Sequence, residues 1–427
     1  MILFLKMSDS RAQTSSQLAS AYRPDLTPYE NLYRQLHSAP ELSRHEAATA
    51  AIIASTLQNL PGIDVKTGIG GHGVVGILRN GPGPTVLLRA ELDALPVQEQ
   101  TGLPYASVTP RVMHACGHDL HMTALLASAH LLHRAQEYWT GTLVFLFQPD
   151  EETGAGAQSM VDDGLYDELK HAVPHPTVVL GGHVMPMRAG SISTRVGAFN
   201  SSSESVRITL YGHGGHGAKP HKAIDPVVMA CSVVLKLQTI VSREMDPMEA
   251  AVVTVGSIQA GIAPNVIPDE ATILVNFRSF STSSQEMLRN SITRIVNMES
   301  ATFGAPKPPL IKRIAYFPLL FNDPSATITL KESMSLHFGA EFLPDLPASP
   351  GSEDISNLAT PVSAPVCFWN YGGISPEIFD AAPDKAALDR IPANHNASFA
   401  PVVQPTLTVA TDAYAVAALT FLELRSA

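Results

Sequence analysis

Four groups of side chains in this sequence are of types that bind metal ions: Cys116-Gly-His118, the adjacent pair Glu151-Glu152, His183, and His395 within Asn-His-Asn. Thiolate, imidazole and carboxylate hold zinc and similar divalent ions, and the small residues around Cys116 and His118 let both reach inward. Taken singly, a histidine is more often a satisfied core or surface residue, and a lone cysteine a small buried hydrophobe. Two adjacent glutamates raise each other's pKa in a cleft of low dielectric, which a cation would relieve. Successive residues also point different ways, so one carboxylate can coordinate while its neighbour faces a water. Hydrolysis needs that division of labour, with an ion to activate water and a separate base to move its proton. Five donors, one of them a thiolate able to bridge, suit two ions about 3.5–4 Å apart better than one. The plain alternative for the glutamate pair is a solvated acidic turn.

The elements that must position these residues follow from the apolar pattern. From residue 84 onward, short unbroken apolar runs alternate with longer helical ones, the pattern of a parallel sheet buried on both faces. Thr85–Leu88 leads to Glu91 and Asp93, Leu143–Phe147 to Glu151 and Glu152, and Thr177–Leu180 to His183. Ligands bind beyond the carboxyl ends of such strands, so these polar residues can converge. A helix from Thr123 to Tyr138 completes the first crossover. Upstream, Thr27-Pro28-Tyr29-Glu30 and Ser43-Arg44-His45-Glu46 read as capping boxes of two helices, the second ending near Leu60, with His37 a helix-end side chain and Glu46 a capping partner.

Residues 205–316 alternate differently. Val206, Ile208 and Leu210, and later Ile273, Val275 and Phe277, are spaced for strands buried on one face. With helices at 225–242 and 283–298 and further strands at 251–257 and 309–316, the order is βαββαβ, that of a ferredoxin-like α+β unit. The expected fold is therefore α/β. A mixed, mostly parallel sheet with helices on both faces forms a discontinuous catalytic domain (25–198 and 317–427). An inserted domain occupies 199–316, and residues 1–24 form a loosely ordered leader. A short run at Val366–Trp369 and a helix from Pro405 to Leu424 close the chain.

Composition narrows the function. Of 427 residues, 45% are apolar and 16% charged, so the chain folds. A net charge of −11 argues against gripping nucleic acid or lying on an anionic membrane, and points to a small-molecule substrate. Three scattered cysteines make no disulfide framework, and the apolar run Met1 to Leu5 is too short for a targeting segment, so a cytoplasmic location is expected.

Several strings together resemble the M20 metallopeptidases, in particular the amidohydrolase branch with hippurate hydrolases, N-acyl-amino-acid hydrolases and indole-acetyl-amino-acid hydrolases. They are Arg-Ala-Glu-Leu-Asp-Ala-Leu-Pro (89–96), His-Ala-Cys-Gly-His-Asp (114–119), Phe-Gln-Pro-Asp-Glu-Glu (147–152), Gly-His-Gly-Gly-His (212–216), Ala-Pro-Asn-Val-Ile-Pro (263–268) and Gly-Ser-Glu-Asp (351–354). The likeness runs from about His37 to the C-terminus. It implies Cys116, His118, Glu152, His183 and His395 as metal ligands, Glu151 as general base and Asp93 as a carboxylate orienting a ligand. It implies His216 as an oxyanion donor, Asn265 and Arg278 as holders of the substrate carboxylate, and an inserted lid that also forms a homodimer. Arg278 reads equally as a solvated charge on a half-buried strand.

Three positions depart from the pattern. Glu91 stands where the branch usually has Asp, and could alter the ligands' support or add a ligand. Asp150 replaces a common Ala, and the surroundings of His395 differ. The expected activity is hydrolysis of the amide of an N-acyl amino acid or a related small amide with two divalent ions per subunit, Zn²⁺ or Mn²⁺, with Co²⁺ and Ni²⁺ possible. The alternatives are a dipeptidase or carboxypeptidase on the same centre, an amidase using Cys116 as nucleophile and His118 as base, and a non-catalytic metal-binding homologue.

Overall fold

The computed structural model describes residues 2–425. It separates into two compact units, one of Met1–Phe199, Phe321–Pro347 and Asp354–Ala427, the other of Asn200–Leu320 with Ala348–Glu353. The short return segment 348–353 lies outside the insert expected from the sequence.

In the first unit an eight-stranded sheet runs in the order Ile63–Ile69, Gly73–Asn80, Trp139–Gln148, Thr85–Glu91, Val178–Arg188, Val366–Ile374, Ile192–Ser193, with Glu423–Leu424 also on Trp139–Gln148. The four central strands are mutually parallel and the outer ones antiparallel. The fold is thus mixed α/β around a mainly parallel core, and Thr85–Glu91 and Trp139–Gln148 are buried along almost their whole length. The helices His118–Arg134 and Thr406–Phe421 pack on each other and are buried nearly all round, enclosed by other elements.

Several elements differ from the sequence reading. The crossover helix starts at His118 and ends at Arg134, five residues before the expected start, so His118 and His121 occupy its first turn. The strand expected at Thr177–Leu180 continues to Arg188, because Val366–Ile374 pairs alongside it past His183. His183 is therefore mid-strand, opposite Asn370.

Residues 1–24, expected as a loose leader, contain a helix over Ile2–Tyr22. Ala12, Ser15, Leu18 and Ala19 are buried, Arg11 Nη1 donates to the Thr420 carbonyl at 3.1 Å, and Ser16 Oγ meets His337 Nδ1 at 2.9 Å. Small residues at helical spacing let this helix approach Pro324–Phe338 and Thr406–Phe421 closely, a face that residue polarity hides.

Neither expected capping box forms. Asp25 accepts from the Thr27 N–H and hydroxyl at 3.0 and 2.8 Å, ahead of helix Thr27–Ser38. Glu41 accepts from the N–H groups of Ala48 and Thr49 at 3.2 and 2.7 Å, capping helix Ala47–Gln58 from a distance. Ser43 and Glu46 are thereby released for other partners.

The second unit is a four-stranded antiparallel sheet in the order Ala251–Ala260, Glu270–Ser279, Ser202–Tyr211, Leu310–Phe317. Helices Pro226–Thr239 and Thr282–Thr302 cover one face, where Val206, Ile208, Leu210, Ile273, Val275 and Phe277 meet Met229, Val233, Leu237, Leu288 and Ile292. Asp225 and Ser281 cap these helices through bonds from Val227 and Ser284 N–H. The stretch Pro226–Glu244 is long and apolar enough to cross a bilayer by composition, yet its inner side forms this core.

Candidate metal centre

The parallel pairing of Glu91 with Gln148 places the two following turns side by side. Asp93 Oδ2 there accepts from the Glu152 N–H at 3.0 Å and from Ser43 Oγ at 2.7 Å, so Asp93 ties the glutamate turn to the first strand's exit. His118 Nδ1 donates to the Asp93 carbonyl at 2.8 Å, which leaves Nε2 aimed at the glutamates, 3.9 Å from Glu151 Oε2 and from Glu152 Oε1.

Gly117 explains the one-residue spacing between Cys116 and His118. It caps the helix at φ +86°, and a Cβ there would lie 2.3 Å from Val184 Cγ1, so only glycine turns the chain this closely against the neighbouring strand. Cys116 Sγ is 3.4 Å from His183 Nε2, while His183 Nδ1 donates to the Val184 carbonyl at 2.8 Å. His395, at φ +69°, is held by its N–H to the Ala115 carbonyl at 2.8 Å, and its Nε2 is 3.4 Å from Glu152 Oε2.

Two sets of donors able to hold an ion share one atom: Cys116, His118 and His183 form one, and Cys116, Glu152 and His395 the other. His118, Glu151 and Glu152 form a third set overlapping both. The fit to divalent cations also shows in buried atoms without a hydrogen-bond partner, namely His118 Nε2, Glu152 Oε1 and Asp93 Oδ1. Burial raises the Glu152 pKa to about 7. Burial, then Glu152 and Glu151, hold the Cys116 thiol well above its usual range. A cation among these groups reverses both effects.

Glu91 and Asp150 have other duties. Glu91 is held by Arg89 and by His121 Nδ1, the latter at 2.6 Å. Arg89, itself buried, also donates to Gln148 Oε1 at 2.9 Å and Asp354 Oδ1 at 3.0 Å. Both Glu91 oxygens are thus engaged; burial opposes its charge, but Arg89 and His121 hold its pKa well below the usual range. Asp150 sits at φ +54° with its N–H on Glu46 Oε1 at 2.9 Å, and its carboxylate on Arg44 Nε and Thr153 Oγ1, both at 2.7 Å. It shapes the turn that presents the glutamates, and Glu46 is its anchor instead of a capping partner.

The sequence pattern assigned no role to Arg89, Asp119 or Asp354, although each lies inside a motif quoted above, nor to His121, two residues beyond one of them. His37 is fully buried between Asp119 at 2.6 Å and Glu99 at 3.2 Å, more than a helix-end side chain. Burial alone would lower its pKa, but the two carboxylates outweigh that and raise it to about 10.

The remaining candidates lie in the second unit. His216 is exposed on Gly215–His216, which pairs with Val266–Ile267, and its Nδ1 accepts from the Ala218 N–H at 3.0 Å. Asn265 is exposed, and its carbonyl accepts from Gly217 N–H at 2.8 Å. Arg278 is half-buried and donates to the Pro350 carbonyl at 2.7 Å, Ser352 Oγ at 3.1 Å and Asn276 Oδ1 at 3.2 Å. It is tied within its own unit and is no freely solvated charge.

The sequence profile of "Peptidase family M20/M25/M40" matches residues 87–391. This chain belongs to that family. It is 41% identical over 269 residues to the hippurate hydrolase of Campylobacter jejuni, covering 62% of this chain and 68% of the relative. It is 36% identical over 326 residues to the IAA-amino acid hydrolase ILR1-like 4 of Arabidopsis thaliana, covering 76% and 72%. Among solved structures it resembles the Bacillus subtilis YXEP protein, described as a dinuclear metal binding peptidase from the M20 family. There the TM-score is 0.73 at 28% identity, covering 94% of this chain and 98% of the other. This M20 chain is thus a hydrolase of amide or peptide bonds.

Proposed function

We propose that this M20 enzyme hydrolyses the amide bond of N-acyl amino acids in a metal-dependent reaction in which Glu151 carries the proton. The observation that carries this reading is the sharing of Cys116 Sγ between two donor sets, with the buried carboxylate of Glu151 outside both and beside them. Relatives named for hippurate and for an IAA-amino acid conjugate support the substrate class. A dinuclear relative of the same fold supports two ions.

One ion would be held by Cys116, His118 and His183, and the other by Cys116, Glu152 and His395. The thiolate favours Zn²⁺, while imidazole and carboxylate also accept Mn²⁺, Co²⁺ or Ni²⁺. When bound, the ions supply Lewis acidity that makes water nucleophilic near neutral pH and polarises a carbonyl. Glu151 takes the proton of the attacking water on its carboxylate and returns it to the leaving nitrogen. Asp93, receiving Ser43 Oγ and Glu152 N–H, holds the glutamate turn in place against His118.

A cysteine-nucleophile route fits less well. The ring that meets Cys116 Sγ is that of His183 and not the His118 this route assigns as base, and burial, then the surrounding acids, oppose a thiolate. The substrate class is tested by comparing release of free amino acid from N-acetyl and N-benzoyl amino acids with cleavage of free dipeptides. Preference for an acylated substrate is expected, and an enzyme that cleaves only dipeptides would have the sister activity instead.

We further infer a ferredoxin-like second unit, since its strand order matches that fold, and a homodimer formed through it. The edge strand Ala251–Ala260 carries no charge or proline to block pairing, and Val252, Ile258, Val228 and Leu235 are exposed. A second copy pairing along that edge would cover it. Sedimentation should give the mass of two chains; the mass of one chain across micromolar concentrations would end the inference.

A further inference from the structure

The supporting hydrogen bonds of the metal centre cross at the backbone of a single residue, Val184, through the peptides on either side of it. Its N–H donates to His121 Nε2 at 3.0 Å. Its carbonyl accepts from His183 Nδ1 at 2.8 Å and from Asn394 Nδ2 at 3.0 Å. Asn394 Nδ2 also reaches the Cys116 carbonyl at 3.2 Å, and its chain neighbour is His395. The backbone of one residue therefore touches the supports of three proposed ligands.

A backbone N–H can only donate, so His121 Nε2 is the acceptor and its proton resides on Nδ1. That proton goes to Glu91 Oε2 at 2.6 Å, while Arg89 holds the other Glu91 oxygen. Both ring nitrogens of His121 are thus used, and it is no ligand although it lies near Glu91 and His118. Its ring stands 4.5 Å from that of His183, centroid to centroid, at 69°.

We propose that His121, oriented by Glu91, is a positioning residue: by pinning the Val184 N–H it fixes the backbone there so that the Val184 carbonyl receives His183 Nδ1, which sets the His183 tautomer, and Asn394, which braces Cys116 and the His395 loop. His183 Nε2 is thereby kept as the lone-pair nitrogen facing Cys116 Sγ. The proposal deepens, and rests on, the reading of these residues as a metal centre. Groups that orient a metal ligand in this way typically contribute about 10–100-fold to metal affinity.

Two measurements test it. In histidine side-chain ¹⁵N NMR of the metal-free protein, His121 and His183 should both carry their proton on Nδ1. A proton on His121 Nε2 would overturn the proposal, and this reading needs no variant. In competition with a chromogenic chelator for Zn²⁺, His121→Phe, which keeps a ring but removes the acceptor, should lose about 10–100-fold in affinity. His121→Gln can place its carbonyl oxygen at the reach of Nε2, and should restore affinity to within a few-fold of wild type. Equal affinity in all three proteins, or equal losses in both variants, would show that the bond to Val184 positions nothing. Wild-type protein that took up no Zn²⁺ would instead remove the metal reading on which the proposal stands. Should the Phe variant not fold, the NMR result and the Gln variant decide.

Discussion

Glu151→Gln retains its metal and loses about 10²–10⁴-fold in kcat, the usual contribution of a positioned general base. The substitution is isosteric, and all five proposed ligands remain. Only the ability to accept and return a proton is removed. Glu151 is 6% exposed on the turn after Trp139–Gln148, with Oε2 3.9 Å from His118 Nε2, so bulk water cannot readily replace it. KM should change little, because the lost interaction belongs to the transition state. Metal analysis and kcat measured on the same preparation check this. A variant with full metal and near-normal turnover would leave the proton's carrier unassigned and refute the role.

Chelation takes activity to background, and adding back Zn²⁺ or Mn²⁺ restores it. The carboxylates of buried Glu151 and half-buried Glu152 lie against a buried thiol, and loss of the cations leaves that charge uncompensated. Stripped protein should therefore also melt earlier, by an amount that grows with the metal concentration used in the loaded reference. The informative contrast is with alkylation. Cys116 is 8% exposed, so the loaded enzyme should resist an alkylating agent and the stripped enzyme should react faster. Activity that survived the chelator and fell to alkylation would instead assign Cys116 as a nucleophile forming a thioester.

The mainly parallel core was legible because strands buried on both faces need unbroken apolar runs, as at Thr85–Leu88 and Leu143–Phe147. The second unit's elements were legible because strands buried on one face must alternate. The leader helix was not, since apart from Leu18 the buried residues on it are Ala12, Ser15 and Ala19, small residues that polarity scales pass over. The capping boxes failed for a related reason. Ser43 and Glu46 had a better use, because Asp93 and the Asp150 N–H approach them from strands far along the chain.

The sequence by itself determined the donor types, the glycine between Cys116 and His118, and the membership of a metallopeptidase family, because these are properties of single residues and short strings. Only the tertiary structure decided what Glu91, Asp150, His37 and His121 do. Each is a polar group that folding removes from water, and such a group must find a partner wherever the packing supplies one. Glu91 meets Arg89 of its own strand and His121 of the helix that follows, and His121 meets the Val184 N–H on a strand that pairs parallel to Thr85–Glu91.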